Sequence, residues 1–426
     1  MTMPRREFVK AAAVASVLPS IARGAHARGS DTLKIGLIGC GGRGTGAASQ
    51  ALRADPGNVL WAMGDMFDDR LTSCHERLAD VFKDAPGRID VAPERRFLGF
   101  DAHQRVIESG VDVVLLTSYP HFRPSHLEAA VHAGKHVFCE KPMGVDAPGL
   151  VRVRAASELA REKGLTLVSG FCWRYANAER AAFTKLHEGV IGDVLSVHTT
   201  YHTSTLTKRP RRPEWSDMEF QLRNWWHFTW LSGDHIVEQA CHSIDRLAWA
   251  MNDKTPARCV AVGGRAARTG EESGNSFDHF GVVYEYDDRR RAFHTCTQID
   301  RTPSDNSDYI TGSSGTGELN GWKPIHAFRD RAGKVLWSYE GPSRDMYQNE
   351  HDVLFASIRA GEARNDGPWM CNSTMMALMG RMAAYTGQAI TWDQAWASAE
   401  DLSPPAYEMG PLAYPALAVP GQTPFR

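Results

Sequence analysis

LKIGLIGCGGRGTG, running from Leu33 to Gly46, joins a short apolar strand to a glycine-rich turn. Leu33 to Ile38 form the strand, and Gly39, Gly41 and Gly44 succeed it as G-x-G-x-x-G. In a strand–turn–helix unit the first glycine permits the tight turn, the second lets the backbone approach a pyrophosphate, and the third lets the helix pack close to the strand. Gly42 and Arg43 open a helix whose N-terminus faces the phosphates. The next strand strengthens the motif. Val59 to Met63 lead to Gly64 and Asp65. Asp65 stands about 20 residues past the last motif glycine, where a carboxylate holds a ribose 2′-hydroxyl and repels a 2′-phosphate. NAD is therefore expected over NADP. The alternative is an acid that only ends the strand and caps the next helix.

Further along the chain, Val111 to Thr117 is another strand, with Ser118-Tyr119-Pro120-His121 after it. An amphipathic helix is expected from Pro124 to Ala133, with Gly134 ending it and His136 to Cys139 forming the next strand. This alternation predicts an α/β fold with a parallel, doubly wound sheet. Ligands bind beyond the carboxyl ends of such strands. Thr117, Tyr119, His121, Glu140 and Lys141 are therefore candidate cofactor contacts. A lysine there can donate to a sugar hydroxyl or carbonyl, and partial desolvation can lower its pKa to suit a proton relay. A surface Glu140–Lys141 pair is the plainer reading.

The bulk composition narrows the class. The chain has 426 residues, 42% hydrophobic and 23% charged, with a formal net charge of −2. That length suggests two or more domains, and the charge suggests neither a general nucleic-acid surface nor an anionic-membrane surface. The eight cysteines form no C-x-x-C pair, so they read as small buried hydrophobes. At the N-terminus, Arg5-Arg6 with Phe8 and Lys10, the apolar run Ala11 to Ala22, and Ala25-His26-Ala27 read as a twin-arginine signal over residues 1–27. The run is too short and too broken by Pro19 to span a membrane. Export of a folded chain through the twin-arginine machinery to the periplasm fits a tightly bound NAD, loaded in the cytoplasm. The alternative is an uncleaved amphipathic helix.

GLIGCGGRG, AGKHVFCEKP (Ala133–Pro142) and GFCWRY (Gly170–Tyr175), in this order and spacing, resemble the Gfo/Idh/MocA oxidoreductases. The resemblance implies a Rossmann domain, placed at residues 31–170. It also implies a C-terminal α/β domain with a large open, mainly antiparallel sheet, placed at residues 171–403. Such a sheet is often used for oligomerisation, so a homodimer or homotetramer is expected. The resemblance further implies a functional Lys141, a cofactor-side Arg174 and a substrate-side Tyr175.

A second constellation runs from Ser232 to Asp245. Glu238 and His242 are spaced i, i+4, so one helix face is expected to carry both. Asp245 comes next on much the same side, and carboxylates orienting an imidazole make an acid–base group near neutral pH. The family pattern has an Asp where this chain has Glu238, one methylene longer. By resemblance Lys141, His242 and Glu238 are the catalytic candidates, and Asp245 is a substrate-side or orienting residue. Glu238 and His242 could also hold zinc, but there is no H-E-x-x-H, so no metal is expected.

Between the motifs, Tyr201 to Trp230 combines the basic stretch Lys208 to Pro213 with Trp215, Arg223, Asn224, Trp225, Trp226, His227 and Trp230. Aromatic faces stack on sugar rings and Arg or Asn grips hydroxyls, so Arg223, Trp225, Trp226 and His227 are substrate candidates for a carbohydrate. The arginines leave carboxylate-bearing sugars open. The alternative is interdomain packing beside a solvated basic loop.

Beyond this segment, hairpins are expected across Asp287-Asp288 and in Tyr309 to Gly317. Helices are expected at Tyr347 to Arg359 and Ser373 to Tyr385, and residues 404–426 read as a proline-rich tail wrapping the surface. Three functions remain: a sugar oxidoreductase, a redox-neutral NAD-dependent glycosidase or lyase, and a sugar-binding protein without activity.

Overall fold

The computed structural model describes residues 32–426. The signal expected over residues 1–27 lies outside the described residues. Six parallel strands form the first sheet: β1 (Leu33–Ile38), β2 (Asn58–Asp65), β3 (Arg96–Leu98), β4 (Val113–Leu116), β5 (His136–Cys139) and β6 (Leu167–Ser169). Their order is β3-β2-β1-β4-β5-β6, so the winding reverses between β1 and β4. β4 is buried at every residue, as expected of a strand covered on both faces. The helix expected at Pro124 runs over Arg123–His132.

The second sheet has nine strands: β7 (Val194–Thr203), β8 (Arg258–Gly264), β9 (His279–Glu285), β10 (Arg291–Gln298), β11 (Ser307–Gly312), β12 (Gly315–Asn320), β13 (His326–Asp330), β14 (Val335–Ser338) and β15 (Ile390–Thr391). Their order is β14-β13-β12-β11-β7-β10-β9-β8-β15. Pairing is antiparallel except between β7 and β10, which run parallel. The expected hairpins are β9–β10 and β11–β12. Burial alternates along β9, so one face packs on a core and the other stays open. Helices Cys241–Ala250 and Gly367–Thr386 cover the inner face, while Val262 and Phe293 stand on the open one.

Two segments depart from a simple division of the chain. Helix Met346–Ala360 returns to the first domain and places Leu354 and Phe355 in one core with Ala47, Ala48 and Ala51 of the helix after the glycine turn. The first sheet needs cover on that face, and the late helix supplies it. The tail binds over the aromatic segment: Gln221 Nε2 donates to the Leu412 carbonyl at 2.7 Å, and Tyr414 meets the Phe228 ring at 4.9 Å. All eight cysteines are buried and unpaired. Among the described residues no helix is long and apolar enough to cross a membrane.

The interior holds many neutral histidines. Burial pushes His126, His242, His294 and His351 well below the usual imidazole value. It pushes His121 to about 4 and His227 to about 3. The unfolded chain takes these protons near pH 6.5, while the folded chain refuses them until much lower pH. Stability is thus present above pH 6.5 and lost as pH falls below it, by up to ~1.4 kcal/mol per pH unit for each histidine. Buried Glu350, raised well above the usual carboxylate value by burial, opposes this, and so do Asp65, Asp146, Asp245 and Asp308, which burial also raises. The urea midpoint is expected to drop clearly between pH 7 and pH 5; a flat profile would refute the account.

Candidate active site at the domain junction

A cavity of about 510 Å³ lies beyond the carboxyl ends of β1, β2, β4 and β5. It sits where the strand order reverses, the usual ligand position in such sheets. Gly39, Gly41, Gly42, Arg43 and Gly44 line it, with Asp65, Thr117, Tyr119, Glu140 and Lys141. Gly39 has φ +98°, and a Cβ there would stand 2.5 Å from the Ser118 nitrogen. A Cβ on Gly44 would overlap the Gly39 carbonyl oxygen. These two glycines fix the turn. Gly42 is different, since a Cβ there would meet nothing within 4 Å. The helix Gly42–Ala54 has no side-chain cap and no acid in its first turn. Its open N–H groups and bare backbone therefore suit a pyrophosphate.

Asp65 ends β2 and accepts from the backbone N–H of Cys40 at 2.5 Å and of Phe67 at 2.9 Å. It both pins the glycine turn and keeps lone pairs for a ribose. The Thr117 hydroxyl donates to the Gly39 carbonyl at 2.6 Å, tying β4 to the turn. Arg43 lines the cavity, but its guanidinium is held by protein groups. Nε pairs with Glu140, Nη2 with Glu350 at 2.5 Å and Nη1 with Gln50 at 2.7 Å. The Arg43 side chain therefore joins the turn to the returning helix, and what Arg43 offers a cofactor is its backbone at the start of the first helix. Glu140 also accepts from the Lys141 backbone N–H at 3.1 Å.

Lys141 comes directly after β5. Its Nζ pairs with Glu238 Oε1 at 2.9 Å and also donates to the Glu238 backbone carbonyl. Burial alone would lower the ammonium pKa, but Glu238 and its neighbours outweigh burial and raise it. The downward shift expected from desolvation is thereby corrected: the lysine stays charged because the fold brings it an acid. His242 lines the same cavity and goes the other way, held neutral by burial and by the nearby Lys141 and Arg246 charges. Its ring meets Trp173 edge-on at 4.4 Å, and its buried Nδ1 has no partner.

Glu238 and His242 do not share one helix. His235–Glu238 and Cys241–Ala250 are separate helices with Gln239 and Ala240 between them. Neither carboxylate orients the imidazole. Glu238 is taken by Lys141, and Asp245 is taken by Arg174 at 2.8 Å and Ser373 at 2.7 Å.

Several expected contacts lie outside the cavity lining. Arg174 bridges Asp245 and Asp253, and the Tyr175 hydroxyl bonds to Asp366. Both residues therefore brace the domain junction. Asp245 is buried in that same bridge. His121 bonds Tyr407 of the tail at 2.8 Å, and His227 is fully buried beneath the 207 carbonyl. Arg223, Trp225 and Trp226 do line the cavity. The two indoles stack at 3.8 Å, and Arg223 is held by Glu219 at 2.8 Å and Asp69 at 3.2 Å.

The cavity also collects Arg70, Tyr201, Thr207, Arg209, Gln239 and Tyr347. Sequence motifs alone do not single these out as site residues. Arg70 carries a signal, a basic residue five past Asp65 at the start of the next helix. Tyr347 carries none, because it arrives on a helix from far along the chain. Among the described residues no three His, Cys, Asp or Glu side chains form a metal-holding group.

Comparison with known proteins agrees with this architecture. Residues 33–171 match the Gfo/Idh/MocA oxidoreductase family model with an NAD-binding Rossmann fold, and residues 180–318 match a Gfo/Idh/MocA C-terminal domain model. The chain is 29% identical to inositol 2-dehydrogenase 3 of Saccharopolyspora erythraea over 365 residues, covering 82% of this chain and 93% of that one. It is 30% identical to inositol 2-dehydrogenase of Pseudomonas fluorescens over 225 residues, covering 52% and 55%. It is also 25% identical to 2,7-anhydro-N-acetylneuraminate hydratase of Escherichia coli over 198 residues, covering 46% and 49%. The matches thus span about half the length of several of these relatives. Among solved structures, the aldose-aldose oxidoreductase of Caulobacter crescentus superposes with a TM-score of 0.64 at 17% identity, over 84% of this chain and 99% of that one. With both models matching in order across more than half of its length, the chain belongs to the Gfo/Idh/MocA oxidoreductase family.

Proposed function

We propose that this chain is an NAD-dependent oxidoreductase of a sugar or sugar derivative, with Lys141, Glu238 and His242 handling the proton of the reacting hydroxyl. The observation that carries this reading is that the Lys141 Nζ, fixed on Glu238 Oε1 at 2.9 Å, and the His242 ring, with an unpartnered Nδ1, line one cavity. Beside the glycine turn, Glu238 pushes the Lys141 pKa up against burial, favouring the ammonium, while burial pushes the His242 pKa down, favouring the neutral imidazole. A bound nicotinamide dinucleotide supplies the two-electron acceptor and donor. The Lys141 Nζ donates to the substrate oxygen and steadies the charge that develops there. Glu238 fixes that ammonium through Oε1. The His242 imidazole accepts the hydroxyl proton in oxidation and returns it in reduction. Trp225 and Trp226 offer ring faces to the sugar.

His242→Ala is expected to lower turnover about 100-fold while dinucleotide affinity holds. Near wild-type turnover would remove the histidine from the chemistry. NAD over NADP is proposed from Asp65. Asp65→Ser is expected to shrink the NAD to NADP affinity ratio about tenfold, measured by fluorescence titration of each nucleotide. An unchanged ratio would show that another group reads the ribose.

A second reading is favoured by the similarity to the hydratase. The same residues would serve a redox-neutral glycosidase or lyase, in which the carbinol is restored after elimination. Denaturing the purified protein, assaying released nucleotide, and adding glycosides to the native form separates the two. Bound NAD reduced lastingly until a second sugar reoxidises it supports the oxidoreductase. Aglycone release without lasting absorbance change supports the second reading. Neither response would refute both. Export through the twin-arginine route with NAD tightly bound beforehand is proposed from Arg5, Arg6 and the apolar run after them. Association into a homodimer or homotetramer is proposed from the open face of the second sheet.

A further inference from the structure

The cavity carries an unanswered positive charge on its substrate side. Its three acids each hold a partner elsewhere, Asp65 two backbone N–H groups, Glu140 Arg43 and Glu238 Lys141, with only Glu238 Oε2 buried and unpartnered. The basic residues of the aromatic segment are engaged too, with one exception. Lys208 reaches the Thr269 carbonyl at 3.4 Å. Arg211 pairs with Asp217 and Glu271, Arg212 stands 3.9 Å from Glu214, and Arg223 pairs with Glu219 and Asp69. Among the described residues only the Arg209 guanidinium in this set has no acceptor, and it is exposed at the cavity wall. Its main chain is nevertheless clamped. The Arg209 N–H donates to Asn224 Oδ1 at 2.8 Å, and its carbonyl accepts from Asn224 Nδ2 at 3.0 Å. Asn224 is fully buried, so the free cation stands on a fixed base.

A second, independent feature points to an acceptor in the same cavity. Arg268 can only donate, and its Nη2 bonds Gln298 Oε1. That fixes the Gln298 amide, whose Nε2 donates to Gln239 Oε1. Gln239 must then present its NH₂ elsewhere, and Gln239 lines the cavity next to Glu238. The relay runs from a buried cation through two amides, each polarising the next. Its open end offers N–H groups with no acceptor among the described residues.

We propose that the substrate is an acidic sugar, its carboxylate paired with Arg209 and hydrogen-bonded by the Gln239 amide. This rests on the reading of the site as a sugar oxidoreductase. A guanidinium fork and an amide donor suit a planar carboxylate. A neutral sugar would leave both donors without a partner.

The test uses the purified full chain with its dinucleotide and matched sugars: glucose and glucuronate, galactose and galacturonate, mannose and mannuronate. Binding is read from tryptophan fluorescence, and turnover from nicotinamide absorbance. In at least one pair the uronate is expected to bind at least ~10-fold tighter than its neutral partner. Arg209→Gln and Gln239→Glu are each expected to bring that preference close to unity, and Arg209→Lys to keep part of it. Equal binding within every pair, a preference untouched by both variants, or no binding of any of the sugars overturns the proposal. So does an equal loss of dinucleotide affinity in Arg209→Gln, which would assign the arginine to the pyrophosphate. A uronate preference that the variants abolish, without any absorbance change, supports the subsite and refutes the oxidoreductase reading instead.

Discussion

Lys141→Met is expected to lower turnover about 10³-fold, within the usual range for a positioned acid–base group, while dinucleotide affinity changes little. Methionine keeps much of the length and apolar stem but removes the donor. It leaves Glu238 buried, 5% exposed, without its cation. A loss of one partner in a buried pair usually destabilises as well, so the melting temperature is measured alongside. Lys141→Arg is expected not to rescue, because a planar fork cannot replace a compact ammonium at one oxygen. Glu238→Gln provides the companion result. Glu238 is the strongest group holding the lysine charged against burial. Without it burial dominates, the lysine pKa falls, and the alkaline limb of kcat/KM moves to lower pH. Near wild-type turnover in Lys141→Met, or an unmoved alkaline limb in Glu238→Gln, would remove the pair from the chemistry.

Gly44→Ala is expected to abolish measurable dinucleotide binding and lower stability by about 1–3 kcal/mol, the usual scale of overpacking. The added Cβ would overlap the Gly39 carbonyl and stand 2.8 Å from Thr117 Oγ1. The first helix cannot yield without leaving β1, and its N-terminus would no longer face the phosphates. Gly42→Ala, two residues earlier, is the control. Its Cβ meets nothing, and alanine is the better helix former, so the melting temperature is expected to hold or rise slightly. Equal melting temperatures for both variants would show that the turn tolerates a side chain at the crossing.

The first domain was largely legible in the sequence. β1, its turn and Asp65 are local: a strand, a turn and the next strand's end, held together by short connections. Lys141 was legible for the same reason, since a residue just after a parallel strand must reach the ligand edge of the sheet. The hairpins β9–β10 and β11–β12 were legible because a short turn between alternating strands leaves little freedom. Spacing failed where a break was invisible. Glu238 and His242 read as one helical face, but the chain interrupts the helix at Gln239 and Ala240. Arg174 and Tyr175 stand next to the ligand edge in sequence, yet Asp245, Asp253 and Asp366 arrive from later elements and hold them away from it.

By itself the sequence determined the strand–turn–helix units, the parallel winding and the family motifs, because these depend on periodicity and on neighbours along the chain. The tertiary structure alone decided the charge of Lys141, the neutrality of His242, the sealing of Arg43 between Glu140 and Glu350, and the freedom of Arg209. Each of those is set by burial and by partners that folding brings together from distant positions. A side chain's electrostatics depends on what stands around it in space, and that is not written in the residues beside it.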